Sequence, residues 1–505
     1  MSAGPAGASS VLKSPAPQVD SVVSQIAESS SVLESFALSI RPSERSAHIQ
    51  LPVFDPETKI LNWKRGGFNA HTPLEFDSGH QVLLRVRIPR WDFTISDALS
   101  RLYSASDYAT MKTAHRVAPS FIPDAWRMDA GSWPLADISF FVDHASGSRP
   151  AHLWGHNGEY DKPKIRTTIR DLASLYVSLS SQSFEGVGSL YPSATATPTA
   201  NQPLQVYVGP MLSYEAHYRS SPPLGPFKTN REAKTAKIDC LLHLIENGKY
   251  KWFASQWVQP PRPAQPVLMY LTLLEVRALV QACEEMGRSG PTYIRHGDQN
   301  LGCILTHEDG SLSAIVDWEF AYTCPFEEAF ATPTFLLGSY RDWRPNTLGI
   351  HQDMLVEEFE SRGRHDLASV IKGCAKYSRL NQLLSESFHS PLNLDGLLGM
   401  EEAFTGTLVD PPATLDEWMA RARLRHSDNE RLKQLQRDWE AFSAAHPDLV
   451  GHSPAIANEE EEEEKEEKEE KEEKEEKDDD DELKEVKVNE NKETAEEKGR
   501  DDDTD

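Results

Sequence analysis

Two aspartates, Asp298 and Asp317, stand on either side of a segment whose residues predict a β-hairpin. Asp309-Gly310 is a turn dipeptide, and apolar residues flank it at 304–305 and 312–316. Such a hairpin would fold the segment back on itself and bring the two carboxylates to one end. Two carboxylates placed in this way suit phosphoryl transfer, because one can orient an attacking hydroxyl while the other holds Mg²⁺ on nucleotide phosphates.

The segment from His296 to Glu319, HGDQNLGCILTHEDGSLSAIVDWE, resembles the catalytic signature of the aminoglycoside phosphotransferase-like (choline kinase-like) family, and its fungal branch in particular. The usual form in that family is close to HGDLHPGNIL, followed by a hairpin and IDWE. The resemblance implies that Asp298 is the catalytic base, that Asp317 binds metal, and that ATP and Mg²⁺ are the cofactors. It also implies a two-lobed, protein-kinase-like fold.

One position departs from the pattern of the family. Five residues after the catalytic aspartate the family has an asparagine, which is the second metal ligand, and this chain has Cys303. Mg²⁺ prefers oxygen ligands, so a thiol is a poor substitute. Asn300 lies nearby but out of register. Cys303 is therefore a doubtful metal ligand, and it also suits a small buried side chain or a redox-sensitive thiol.

Three further residues of the motif each leave two roles open. His296 could take part in catalysis as a proton carrier, or it could brace the loop through hydrogen bonds. Asp317 suits a metal ligand, with a helix cap or turn as the alternative. Glu319 suits either an acid that supports the metal site or a structural anchor.

A period-two pattern over residues 82–88, in which apolar residues alternate with Arg85 and Arg87, predicts a strand with both arginines on one face. A predicted helix follows and contains Asp107. By the resemblance, Arg87 and Asp107 form the ion pair that positions the α- and β-phosphates, with two unrelated surface charges as the alternative. Upstream, Gly66-Gly67 would let a loop approach phosphates closely, or would form a plain turn.

The order of the predicted strands and helices around these residues indicates an α+β protein with a small β-rich N-lobe, a mostly helical C-lobe and disordered termini. The predicted units are a flexible N-terminal arm at 1–40, the N-lobe at 41–137, a hinge at 138–148, the C-lobe with the catalytic loop at 149–450, and an acidic Glu/Lys/Asp tail at 451–505.

The chain has 505 residues and a formal net charge of −27 at pH 7, of which residues 459–505 supply −18. This tail should stay solvated, and its role is either solubility or the binding of a basic protein partner. The acidic balance argues against nucleic acid, because phosphates would be repelled. Five cysteines without CxxC spacing, no long apolar run and no apolar signal core predict a cytoplasmic protein without a membrane span.

These features together predict an ATP- and Mg²⁺-dependent phosphotransferase that acts on a hydroxyl of a small molecule. The alternative is a pseudokinase that binds nucleotide or a protein partner without efficient catalysis. Cys303 and the short side chain of Asp107 favour the pseudokinase, whereas Asp298, Asp317 and Arg87 favour the enzyme.

Overall fold

The computed structural model describes residues 17–55, 60–66, 68–88, 96–150, 161–193, 203–212, 223–248, 266–298, 300–337, 346–386 and 392–445. Gly67, residues 1–16 of the predicted arm and the predicted acidic tail at 451–505 lie outside the described residues.

The N-lobe contains one main antiparallel sheet. Its elements are, in chain order, α1 (Pro17–Glu28), α2 (Ser30–Ile40), β1 (Ala47–Ile49), β2 (Val53–Asp55), β3 (Ile60–Asn62), β4 (Lys64–Arg65), β5 (Asn69–Phe76), β6 (Gln81–Arg87), α3 (Asp97–Val117), β7 (Ala125–Trp126) and β8 (Ser139–Asp143). The main sheet has the strand order β1-β5-β6-β8-β7, with β4 paired to the start of β5, and β2 and β3 form a separate hairpin.

Strand β6 carries both arginines of the period-two pattern. Val82, Leu84 and Val86 belong to the apolar core of the N-lobe, and Arg85 and Arg87 occupy the alternate positions. The two arginines are buried as well, with 5% and 4% of their surface exposed. Helix α3 covers their side of the sheet, so they lie inside the protein and not on its surface.

The prediction of a flexible arm at 1–40 is wrong for residues 17–40, which form α1 and α2. Leu33 and Ala37 are fully buried in the same core as the apolar residues of β6. Phe36 also packs against Phe141 of β8 at a centroid distance of 5.4 Å. The apolar face of the sheet that α3 leaves uncovered must be shielded from water, and these two helices shield it.

The predicted hinge at 138–148 begins inside the sheet, because β8 pairs with both β6 and β7. Residues 144–148 then leave the sheet and meet the C-lobe. Ser148 exchanges two backbone hydrogen bonds with Thr306, at 3.0 and 2.9 Å. A Cβ at Gly147, whose φ is 105°, would lie 2.8 Å from the carbonyl oxygen of Thr306, so a glycine allows this close approach.

The C-lobe is mostly helical. Its elements are α4 (Lys162–Leu179), β9 (Phe184–Glu185), β10 (Ser189–Pro192), β11 (Val206–Gly209), α5 (Asn230–Glu246), α6 (Pro266–Ala282), β12 (Pro291–Arg295), β13 (Ile304–Thr306), β14 (Leu312–Ile315), β15 (Tyr322–Pro325), α7 (Phe326–Ala329), α8 (Ile350–Ser361), α9 (His365–Gly373), α10 (Ala375–Glu386), α11 (Leu394–Thr405), α12 (Leu415–Arg425) and α13 (Glu430–Ala445). The short strands form three small sheets, β15-β12-β9, β10-β11 and β13-β14.

The helices of the C-lobe pack around one large apolar core that also takes in the β12 to β15 region. The predicted α+β fold, with a small β-rich N-lobe and a mostly helical C-lobe, is confirmed. Among the helices of the described residues, none is both long and apolar enough to cross a bilayer.

The packing of α2 predicts a stability difference between two adjacent residues. Leu33→Ala should lower the free energy of unfolding by about 2–5 kcal/mol, because it leaves a cavity in the N-lobe core. Val32 is 43% exposed, so Val32→Ala is the matched control and should change stability by no more than about 0.5 kcal/mol. Urea denaturation of the two variants measures this, and equal small effects would contradict a packed α2.

Candidate active site

The hairpin that follows the predicted catalytic loop is present, as the sequence predicts. Strands β13 and β14 pair around Asp309-Gly310, where Gly310 has a φ of 81°. The backbone N–H of Val316 donates to the carbonyl of Cys303 at 2.9 Å and so closes the base of the hairpin. Burial raises the pKa of the Cys303 thiol, and the carboxylates of Asp298 and Asp317 raise it further.

His296 braces the loop through both ring nitrogens. Its Nδ1 accepts the backbone N–H of Asp298 at 3.2 Å, which in a neutral ring leaves Nε2 as the donor to the carbonyl of Val316 at 2.9 Å. The ring also meets Trp318 edge-on, at a centroid distance of 4.8 Å. Because backbone groups engage both nitrogens, these contacts favour the bracing role over proton transfer.

Asn300 orients the predicted catalytic base. Its Nδ2 donates to Oδ1 of Asp298 at 2.6 Å, while its Oδ1 accepts the backbone N–H of Gly302 at 2.6 Å. The second bond caps the short 3₁₀ turn at Leu301–Cys303. In the sequence, Asn300 is out of register for a metal ligand. In the structure, its side-chain amide instead bonds to the carboxylate of Asp298 and to the backbone of Gly302.

Arg85, and not Arg87, forms the ion pair with Asp107. The Nε of Arg85 lies 2.9 Å from Oδ2 of Asp107 on α3, and its Nη2 donates to Oδ1 of Asp317 at 3.0 Å. Its Nη1 lies 3.1 Å from Nε2 of His71. Burial disfavours the charge of Arg85, but the neighbouring carboxylates outweigh burial and raise its pKa. One guanidinium thus joins the N-lobe sheet, α3 and the end of the hairpin.

Arg87 pairs with Glu319 instead. Its Nη1 donates to Oε2 of Glu319 at 3.2 Å, and Nδ2 of Asn69 donates to the same oxygen at 2.9 Å. The guanidinium of Arg87 also lies over the ring of Tyr103, 4.2 Å from its centroid. Burial, and next the charge of Asp317, raise the pKa of Glu319 to about 7 despite the two arginines. The sequence patterns do not single out Asn69, which lies two residues after the predicted Gly66-Gly67 turn.

Asp317 is electrostatically stabilised and conformationally strained. Burial alone would raise its pKa, but the charge and the hydrogen bond of Arg85 hold it below the ordinary value. Its φ is 65°, and Phe320 has a φ of 63°. Non-glycine residues in this left-handed region cost conformational energy and cluster at functional sites. The surrounding contacts therefore hold residues 317–320 (DWEF) in an unfavourable backbone conformation.

The donor set suits Mg²⁺ at Asp317 and not at Cys303. The thiol of Cys303 is buried, its raised pKa keeps it protonated, and it donates to Oδ1 of Asn300 at 3.8 Å. Among the described residues, no three acidic, histidine or cysteine side chains are grouped as a metal cage. Mg²⁺ needs no such cage, because one or two carboxylates, waters and the phosphates of a nucleotide hold it in many enzymes.

Gly66 lies in a tight turn between β4 and β5. Its backbone N–H donates to the carbonyl of Asn69 at 2.8 Å, so the predicted turn is present. A phosphate-binding role for Gly66 stays a prediction, and Gly67 lies outside the described residues.

A buried ion network supports the loop from the C-lobe side. Arg295, the residue before the catalytic loop, donates to the backbone carbonyl of Glu328. The Glu328 carboxylate accepts from Lys234 at 2.5 Å and from Asn230 and Tyr322 at 2.6 Å each. Burial opposes the charge of Glu328, but Lys234 and Arg295 outweigh it and lower its pKa to about 2. The network thus fixes β12, which carries the loop.

No protein-family model and no curated protein matches the chain. Solved structures of small-molecule kinases are similar to it. An ethanolamine kinase from Plasmodium vivax is 10% identical, with a TM-score of 0.34, and the match covers 77% of this chain and 84% of the kinase. A macrolide 2'-phosphotransferase from Brachybacterium faecium is 13% identical, with a TM-score of 0.32, and the match covers 76% of this chain and 99% of that enzyme.

An amicoumacin kinase in complex with AMP-PNP and Ca²⁺ is 12% identical, with a TM-score of 0.32, and the match covers 79% of this chain and 94% of that kinase. Because these identities and TM-scores are low, the proposed function rests on the residues of the site.

The network behind the loop predicts acid sensitivity. Glu328→Gln should lower the free energy of unfolding by about 3–5 kcal/mol at neutral pH, because Lys234 keeps a buried charge without its partner. The stabilisation by Glu328 is complete above its ordinary pKa of 4.5 and is lost as the pH falls towards about 2. Urea denaturation from neutral pH down to about 2 should show the gap between wild type and variant shrinking below that value of 4.5.

Glu327→Gln is the matched control for this comparison, since Glu327 is the exposed neighbour of Glu328. It should change the free energy of unfolding by no more than about 0.5 kcal/mol. A gap between Glu328→Gln and wild type that stayed constant across the pH range would contradict the charge-based account.

Proposed function

We propose that this protein is an ATP- and Mg²⁺-dependent phosphotransferase that acts on a hydroxyl of a small molecule. The observation that carries the proposal is the pair of contacts made by Arg85, to Asp107 on α3 and to Asp317 after the hairpin. A basic residue on an N-lobe strand, a carboxylate on the next helix and a metal-binding aspartate form the phosphate-positioning set of kinases. The motif around Asp298 supplies the remaining group.

Each residue has one role in this proposal. Asp298, oriented by Asn300, accepts the proton of the attacking hydroxyl. Arg85 binds and orients the phosphates, and Asp317 would hold the metal. Mg²⁺, when bound, neutralises charge on the phosphates. His296 keeps the loop in place through its backbone contacts. Catalysis then depends on positioning and charge more than on covalent chemistry.

Nucleotide binding and turnover test the proposal separately. ATP with Mg²⁺ should raise the melting temperature of the wild type, because a ligand that binds the folded state stabilises it. Asp317→Asn should remove the Mg²⁺-dependent part of this rise. Asp298→Asn should keep the rise and lower ADP formation with an accepted alcohol by about 10²–10⁴-fold.

Asp353→Asn is the control for both measurements, because Asp353 lies exposed on α8 of the C-lobe. It should behave like the wild type in melting and in turnover. A wild type whose melting temperature did not respond to ATP under either condition would sink the proposal.

A specific observation favours a second candidate, the nucleotide-binding pseudokinase. Cys303 stands where the resemblance implies a metal-binding asparagine, and its buried thiol is held protonated. A site with one protein ligand for Mg²⁺ would bind the metal weakly, and turnover would suffer even with Asp298 and Arg85 in place.

Cys303→Asn distinguishes the two candidates. In an enzyme with a weak metal site, the added amide oxygen should strengthen the apparent Mg²⁺ affinity in turnover by about tenfold or more. Cys303→Ala is the control, since it removes the thiol without supplying an oxygen, and it should give no such gain. A pseudokinase should show no turnover in either variant, with melting temperatures confirming that both variants fold.

A further inference from the structure

Two residues of the N-lobe reach across the cleft to the segment after the hairpin. Asn69, the first residue of β5, donates from Nδ2 to Oε2 of Glu319 at 2.9 Å. Phe68 packs edge-on against Phe320 at a centroid distance of 5.3 Å. We call these four residues the cleft latch. Asn69 and Glu319 are each only 6% exposed, so the latch is an internal contact between the lobes.

The Glu319 carboxylate occupies a site built for an anion. Its Oε2 accepts from Nη1 of Arg87 at 3.2 Å as well as from Asn69, and Nη2 of Arg85 lies 3.7 Å away. The Arg87 guanidinium is held over the rings of Tyr103 and Phe68, 4.2 and 5.3 Å from their centroids. Guanidinium and amide donors that converge on one oxygen recognise phosphoryl oxygens and carboxylates alike.

The backbone around the latch adopts a conformation that non-glycine residues seldom take, and the latch contacts help to hold it there. Asp317 and Phe320 both have positive φ values, 65° and 63°. Phe320 is held there by ring contacts with Phe68 and with Tyr103, the latter at 5.5 Å. Breaking the ring contact with Phe68 would remove one of the contacts that hold Phe320 in this backbone conformation.

We propose that Glu319 is the internal ligand of an anion site formed by Arg87 and Asn69, and that a phosphoryl group of the nucleotide displaces it. This inference rests on the proposed nucleotide-dependent function and adds its regulation. The cleft is latched until the nucleotide expels Glu319. The ring of Phe68 then separates from the ring of Phe320.

The two anions must exclude each other. A phosphoryl group and the Glu319 carboxylate would compete for the same donors, and Asp107 and Asp317 already add negative charge nearby. Binding of one anion therefore opposes binding of the other. It follows that a change that weakens the latch but keeps the donors of Arg87 and Asn69 must strengthen nucleotide binding, because the ligand no longer has to open the latch.

Two variants and one control test the latch. Glu319→Gln removes the charge that Arg87 holds, and Phe68→Leu weakens the ring contact without changing any charge. Glu75→Gln, on the same strand as Asn69 but hydrogen-bonded to Gln50, is the control. The first readout is amide hydrogen exchange of residues 68–72 without ligand, and the second is the dissociation constant of ATP with Mg²⁺ by calorimetry.

If the latch exists, Glu319→Gln and Phe68→Leu should show faster hydrogen exchange at residues 68–72 than the wild type. Both variants should also bind ATP more tightly by about fivefold or more, and Glu75→Gln should match the wild type in both measurements. Tighter binding in Glu319→Gln alone would be a general charge effect and would overturn the latch. So would wild-type binding of ATP with no gain in either variant. If neither the wild type nor any variant bound ATP, both the proposed function and the anion site would be wrong. Hydrogen exchange at residues 68–72 that was the same in the wild type and both variants would show that the latch contact does not hold the cleft closed.

Discussion

The buried guanidinium of Arg85 is the interaction on which the rest of the site depends. A charge at 5% exposure is tolerated only when it is paired and hydrogen-bonded. Asp107 satisfies it from the N-lobe helix and Asp317 from the end of the C-lobe hairpin. Because both partners come from separate elements, the pairing requirement of one side chain fixes the position of α3 and of the hairpin relative to the main sheet.

The predicted catalytic loop lies between this pairing and a second buried network. On the N-lobe side, Arg85 donates to Asp317. His296, in the loop, bonds to the carbonyl of Val316, which is the residue just before Asp317. On the C-lobe side, Arg295 and Glu328 fix the strand that leads into the loop. The loop is thus held at both ends by buried charge and backbone contacts. The carboxylate of Asp298 needs only Asn300 to set its direction.

Local chemistry made part of this predictable from the sequence. The Asp309-Gly310 turn and its flanking strands follow from short-range preferences, so the hairpin was predicted correctly. The period-two pattern placed Arg85 and Arg87 on one face, but it could not tell which of them reaches Asp107. That choice depends on where α3 crosses the sheet, which is a tertiary fact, and the resemblance pointed to the wrong arginine.

Two other differences concern residues 17–40 and Asn300. The Ser, Ala and Pro content of residues 1–40 predicts a flexible arm, because the need to cover one face of the sheet is not visible in the segment itself. Asn300 was judged only as a metal ligand, since its hydrogen bond to Asp298 depends on the turn at Leu301–Cys303. The partner of residues 17–40 is a sheet that lies far away in the sequence, whereas the partners of Asn300 are only two residues away and are reached through a 3₁₀ turn that the residue pattern does not predict.

Charge balance in the cleft limits which form of a nucleotide can enter it. Asp107, Asp317 and Glu319 surround Arg85 and Arg87, so when Glu319 is ionised the carboxylates outnumber the guanidinium groups by one before any ligand arrives. Bare phosphates would add negative charge to a site with an excess of it, at low effective dielectric. A nucleotide that brings a divalent cation adds far less net charge, and Asp317 is the exposed carboxylate that could meet that cation, at 43% side-chain exposure. The weak donor set around Cys303 is then less damaging than it looks, because the metal would arrive already held by phosphates and would need only one protein carboxylate.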